Sequence, residues 1–317
     1  MWLLAIIPLV GVLGVGVGVD IPGALAVGSH PYNSPEAFGV WSAPLVMIQD
    51  RIYTHVSVDG GSDKLFMVDN GFRYVTFAPS LAQGVGFEAG SEIATNVIDR
   101  RRVRTPIGTV RRLGIGDLEV DNVLVQVCPT MHTLSNSLGR RIHGVVGTNL
   151  MVRYLTTIDF EEGRIVFAQR TASSRARFLA EDGAVALPFG PHPFSSGSCH
   201  IFSIRICING VPVDAIVDLG FTGGILTNLD RRELGLRMCS GDLRGFSVAI
   251  AGYHGKGRRA VARTVAFGNL STSDVPVIVF SSRGAPSFTI VGVQFLSRFK
   301  LTFDFAGRSL ILRPVSD

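Results

Sequence analysis

Polar and apolar residues alternate along IYTHVSVDG (residues 52–60) and again along HIFSIRICING (residues 200–210). A period of two marks a strand with one face in a core. Elsewhere the apolar runs are short, rich in Val, Ile, Phe and Thr, and bounded by Gly, Pro, Asp or Asn. Helical periodicity is confined to small pieces, so the pattern predicts a mostly β chain. Two short helical pieces are expected, at APSLAQGVGF (residues 78–87) and TNLDRRELGL (residues 227–236). In the second, Asn228 is placed to cap the N-terminus and Gly235 to stop the helix. One stretch departs from all of this. Residues 1–19, MWLLAIIPLVGVLGVGVGV, are apolar without a break, near the length of a membrane span of about 20 residues.

The pattern also repeats. FMVDNGFRYVTF (residues 66–77) and AIVDLGFTGGIL (residues 215–226) each set an Asp after an apolar run, then one residue, then Gly-Phe; the two Asp residues lie 149 positions apart. HGVVGTNLMVRYLTTIDFEEGRIVF (residues 143–167) likewise resembles FTIVGVQFLSRFKLTFDFAGRSLIL (residues 288–312). TVRRLGIGDLEVDNVLVQV (residues 109–127) resembles RTVAFGNLSTSDVPVIVF (residues 263–280), and the parts come in the same order in both halves. Such self-similarity points to a duplicated unit. The chain therefore divides into a leader (1–26), an N-terminal segment (27–48), a first half (49–170), a linker rich in Ser, Ala, Gly and Pro (171–196) and a second half (197–317). Asp159 and Asp304, each before a Gly-Arg step, read as turn formers.

The leader, followed by the small residues of GALA (23–26), reads as a signal peptide or an N-terminal membrane anchor. No Lys or Arg precedes it, so flanking charge does not orient it. The expectation is an exported protein: secreted, periplasmic or attached to the cell envelope through residues 1–19. With 46% hydrophobic residues and a mean hydropathy of +0.34, the chain is no disordered segment. Its net charge is +5, much of it near DRRRVRTPIGTVRR (residues 99–112). Without an aromatic platform or zinc spacing, that excess gives no nucleic-acid site. Cys128, Cys199, Cys207 and Cys239 form no C-x-x-C pair, and three disulfide connectivities remain open. His192 and His200, in a Gly/Ser loop, are weak as metal ligands. No metal and no cofactor is expected.

Apolar strand, Asp-x-Gly, short helix, hairpin and apolar-apolar-Gly, taken twice, resemble the bacterial retropepsin-like and pepsin-like aspartyl proteases with two tandem lobes. The resemblance runs from about residue 49 to 314. It implies an all-β, bilobal acid-protease fold, with two pseudo-twofold-related β lobes and short helices, in which 49–170 and 197–317 are the lobes. It implies that Asp69 and Asp218 are the catalytic pair, that Gly71 and Gly220 serve the tight turns, and that Gly147 and Gly292 close the motif that supports each Asp loop. The substrate implied is a peptide or protein, bound as an added strand. A hairpin over the cleft is expected from residues 247–263, with Tyr253 and His254 near its tip; residues 100–112 are its counterpart.

The chemistry follows from two acids held together. Close carboxylates share one proton; the ionised one takes a proton from water and the protonated one donates to the substrate carbonyl. The departures lie beside them. Where the family has Thr or Ser, this chain has Asn70 and Leu219, so only the Asn70 side retains a hydrogen-bonding lock. Phe72 and Phe221 follow the glycines in place of small residues. Thr222 is expected to donate to Asp218, and Arg73 to favour ionised Asp69. Two functions follow: an exported aspartic-type endopeptidase, or a catalytically inactive relative that binds peptides or envelope partners. Leu219 and the two Phe residues discriminate them.

Overall fold

A computed structural model of the chain describes residues 39–96, 102–129, 131–191, 201–240, 245–250 and 253–315. The leader, His192, Cys199 and His200 lie outside the described residues. Among those described, no helix is long and apolar enough to cross a membrane.

The alternation read along residues 202–208 appears as strand Phe202–Ile208, whose even-numbered residues are buried. Val211–Val217 folds back on it, pairing Ile208 with Val211 around Asn209-Gly210. Both turn residues have positive φ, 50° and 85°, the backbone that suits a two-residue hairpin to the strands' twist. In the first half Arg51–Val58 and Lys64–Val68 pair in the same antiparallel way.

The first half forms one sheet. Its order is Val46–Ile48, Arg51–Val58, Lys64–Val68, Gly144–Val146, Val75–Phe77, Leu118–Val127, Arg102–Ile115 and Ser91–Asn96. Pairing of Val56 with Ile115 curls it into a barrel. The second half repeats the plan with Phe202–Ile208, Val211–Val217, Thr289–Val291, Ile225–Thr227, Leu270–Ser281 and Tyr253–Phe267, closed by Cys207 opposite Ala266. The expected all-β, two-lobed architecture is what the chain adopts.

A further sheet joins the lobes. Its six strands run Val40–Pro44, Arg164–Ala168, Leu155–Asp159, Phe299–Asp304, Ser309–Pro314 and Val185–Pro191, and the last also pairs with Phe202–Ile208, so the sheet continues into that of the second lobe. Thr157 faces Thr302 across its centre, their hydroxyls 2.8 Å apart. Residues 27–48, read as an N-terminal segment, supply Val40–Pro44, and residues 171–196, read as a linker, supply helix Ala172–Leu179 and strand Val185–Pro191. Asp159 accepts from the Glu162 N–H at 3.0 Å and Asp304 from the Gly307 N–H at 2.8 Å, so both shape turns.

One expected helix is absent. Pro79–Gly84 is helical, whereas residues 231–235 form turns. Asn228 does not cap them. Its side chain accepts from the Phe288 N–H at 2.7 Å and donates to the Pro286 C=O at 2.6 Å, clamping the end of strand Ile225–Thr227 to a distant loop. Among the described residues Cys128, Cys207 and Cys239 form no disulfide.

Candidate active site

Asp69 and Asp218 each follow a strand that is held from the side by the apolar-apolar-Gly element. Lys64–Val68 runs parallel to Gly144–Val146, and Val211–Val217 runs parallel to Thr289–Val291. The chain leaving each Asp returns as Val75–Phe77 or Ile225–Thr227 on the other side of that element, antiparallel to it. Each Asp loop is thereby threaded around a central strand.

The hydrogen bonds match between lobes. The Asp69 N–H donates to the Val146 C=O at 3.2 Å and the Asp218 N–H to the Val291 C=O at 3.0 Å. Thr148 N–H reaches the Phe72 C=O, and Val293 N–H the Phe221 C=O, both at 2.8 Å. Gly147 and Gly292 sit where these backbones meet. A Cβ on Gly147 would collide with Tyr74, and one on Gly292 with the Phe221 and Gly223 carbonyls. Close approach of backbones, not a special φ, is the reason for glycine here.

The two loops then meet. Gly71 N–H donates to Asp69 Oδ1 at 2.7 Å and Gly220 N–H to Asp218 Oδ1 at 2.8 Å. Gly220 lies directly against the Asp69 carboxylate, leaving no space for a Cβ. Asn70 crosses between the lobes with both ends of its amide. Its Nδ2 donates to the Val217 C=O and its Oδ1 accepts from the Leu219 N–H, each at 2.8 Å. Leu219 is fully buried and its side chain has no polar atom to return the bonds. The lock is therefore one-sided, carried by a single amide.

Both acids are buried, Asp69 completely and Asp218 with 6% of its surface exposed. Burial, then the Asp218 charge, raises the Asp69 pKa well above the usual carboxylate range; the Gly71 N–H and the Arg51 guanidinium oppose this. Burial pushes Asp218 up to about 6, against the N–H groups of Gly220 and Phe221. Two such groups titrate as a unit, and the second is harder to ionise than the first. Asp69 Oδ2 is buried without a hydrogen-bond partner among the described residues.

Two neighbours differ from expectation. Arg73 is exposed, with its guanidinium 5.3 Å from the Tyr74 ring centre; the cation acting on Asp69 is Arg51, 2% exposed. Thr222 is half-buried; among the described residues the donors acting on Asp218 are the Gly220 and Phe221 backbones. Phe72 and Phe221 are buried in two small apolar clusters, one with Tyr53 and Met131, the other with Val248, Phe280 and Phe288. Phe221 lies so close over Gly223 that a Cβ there would strike its ring. Arg51 was legible in principle. Two strands folded about a turn near residues 59–63 place a residue near 51 across from one near 69.

Each lobe carries a projecting hairpin. Phe246–Ile250 pairs with Tyr253–Phe267, bringing Tyr253 opposite Ile250 and His254 opposite Ala249. His254 is exposed, and its C=O accepts from the Ser282 hydroxyl at 2.8 Å. Ser91–Asn96 pairs with Arg102–Ile115 at the same place in the first lobe. Among the described residues no cluster of three metal-ligating side chains forms.

The aspartyl protease family profile matches residues 54–150 and 204–295, one segment in each lobe and together more than half of the chain. The chain belongs to the aspartyl protease family. The first matched segment holds Asp69, Asn70, Gly71 and Gly147, and the second holds Asp218, Leu219, Gly220, Thr222 and Gly292. No curated protein matches the sequence. Among solved structures, this family member is similar in fold to Basic 7S globulin from soybean. The TM-score is 0.57 and the identity 10%, over 88% of this chain and 96% of that one. A retropepsin-like aspartic protease from Rickettsia conorii aligns with a TM-score of 0.32 and 18% identity, over 42% of this chain and 94% of that one.

Proposed function

We propose that the protein is an exported aspartic-type endopeptidase that hydrolyses peptide bonds with water activated between Asp69 and Asp218. The observation that carries this reading is the Asp69 Oδ2 atom, buried and unpartnered at the point where the two Asp loops meet. A water admitted between the loops faces two carboxyls that share a proton. The ionised carboxylate draws a proton from the water as its oxygen attacks the peptide carbonyl. The protonated carboxyl donates to the carbonyl oxygen, so charge does not accumulate on the tetrahedral intermediate. Return of a proton to the departing nitrogen breaks the C–N bond. The substrate is a polypeptide that adds as a strand beneath the hairpins Phe246–Ile250/Tyr253–Phe267 and Ser91–Asn96/Arg102–Ile115. The apolar residues 1–19 carry the export reading, as a signal or as an anchor in the membrane.

A second reading, a catalytically inactive relative that binds peptides or envelope partners, is supported by the complete burial of Asp69 and the apolar Leu219. One experiment separates them. The protein lacking residues 1–26 is incubated with a peptide library from acidic to neutral pH beside Asp69→Ala and Asp218→Ala. The proposal expects cleavage by the parent alone. Cleavage that survives both substitutions overturns the mechanism; peptide retention without any cleavage supports the binding protein.

A further inference from the structure

Arg51 opens strand Arg51–Val58, and its side chain is buried despite a full positive charge. Burying a guanidinium is costly unless it is paired. Its Nη1 has no hydrogen-bond partner among the described residues. What it faces is set by the sheet register. In the hairpin with Lys64–Val68, Tyr53 stands opposite Met67 and Thr54 opposite Phe66. The paired stretch ends there, with Arg51 two residues before Tyr53 and Asp69 two residues after Met67, so both lie at the same end of the hairpin. On the other side the Cα partner of Arg51 is Ile48, which brings no charge.

We propose that Arg51 is the built-in counter-charge of the aspartate pair, a positioning residue that holds Asp69 ready to ionise and so sets the pH range in which the pair shares one proton. This deepens the dyad reading above and rests on it. The charged and titratable groups around the guanidinium are few. Burial lowers its pKa, and the acids Asp69 and Asp50 act against that. Asp50 is engaged from the other lobe, where Gln294 donates to it at 3.0 Å. Tyr53, whose own pKa is raised by burial, is acted on by Arg51 and Arg140 and stays neutral. Asp218 acts on Asp69 in the opposite sense from Arg51. Asp69 is thus the acid between a fixed cation and a second acid. The cation offsets part of the burial that would otherwise keep both carboxyls protonated.

The test is a carbon-13 carboxyl titration of Asp69 in the parent, Arg51→Met and Arg51→Lys, which requires no turnover. Removing a nearby cation disfavours the carboxylate, so the Arg51→Met midpoint should rise by about one pH unit, the low end of the effect of a close opposite charge. Arg51→Lys should keep most of the parent's position. If peptide cleavage is detected, its pH window should move upward in Arg51→Met. A shifted titration without cleavage leaves the inference standing and removes the peptidase reading. An unchanged Asp69 midpoint in folded Arg51→Met overturns the inference, and so does equal behaviour of the Lys and Met variants. Should Arg51→Met fail to fold, the double variant Arg51→Met/Asp69→Asn decides. Recovery of folding supports the pairing, and no recovery contradicts it.

Discussion

Replacing Asn70 by Ala tests how much of the inter-lobe contact one amide carries. Two groups lose their partners, the Val217 C=O and the Leu219 N–H, on residues 1% and 0% exposed. A buried donor or acceptor left unsatisfied costs about 1–3 kcal/mol. The two together give about 2–6 kcal/mol, and Leu219 has no polar side-chain atom with which to compensate. Asn70→Thr, whose hydroxyl can both donate and accept, should recover a good part. Urea denaturation followed by circular dichroism reads the loss as a lower midpoint. Because the lobes also share the six-stranded sheet, the secondary structure should survive in Asn70→Ala while the pairing of the Asp loops loosens. An Asn70→Ala protein within about 0.5 kcal/mol of the parent, the range of ordinary surface changes, would refute the reasoning.

Other consequences follow from the same contacts. Gly220→Ala places a methyl group against the Asp69 carboxylate; peptide cleavage should fall at least about 100-fold, since misplacement of about 1 Å has that effect, as read by steady-state assay. Asp304→Ala removes the acceptor of the Gly307 N–H and of Arg175, both at 2.8 Å. Thermal unfolding should show a loss of about 2–4 kcal/mol, as for a buried charged hydrogen-bond partner. Folding raises the Asp218 pKa to about 6, so between pH 4 and 6 the native state holds a proton that the unfolded chain has released. Stability is then full below pH ~4 and falls as pH rises through ~6, by about 3 kcal/mol for two pH units. Denaturation at a series of pH values should show this fall in the parent and a flatter profile in Asp218→Asn.

The repeat was the most legible feature, because it fixes topology without requiring any boundary to be right. Once FMVDNGF and AIVDLGF are paired with VVG and IVG, the threaded loop follows in both lobes. Asn70 was legible as a hydrogen-bonding residue. That it spans the lobes with both ends of its amide was not, since the partners lie 147 and 149 positions away. Residues 227–236 misled because Asn before a polar run is a local capping signal, whereas Asn228 is bound to residues 286 and 288, beyond the reach of local pattern. Residues 171–191 misled in another way. Ser, Ala, Gly and Pro suggest a connector, yet Val185–Pro191 pairs with Ser309–Pro314 on one side and Phe202–Ile208 on the other, and such pairing overrides weak local preference. Arg73 lies four positions from Asp69 in the sequence yet is exposed, whereas the cation that acts on Asp69 is Arg51, eighteen positions away.

The most direct measurement of shared protonation is the ionisation of Asp69 with and without its partner, read by carbon-13 carboxyl titration in the parent and in Asp218→Asn. The Asp218 charge raises the Asp69 pKa, so Asn at position 218 should lower the Asp69 midpoint. An Asp69 midpoint that does not move would show two acids that titrate without regard to each other, and would contradict the account.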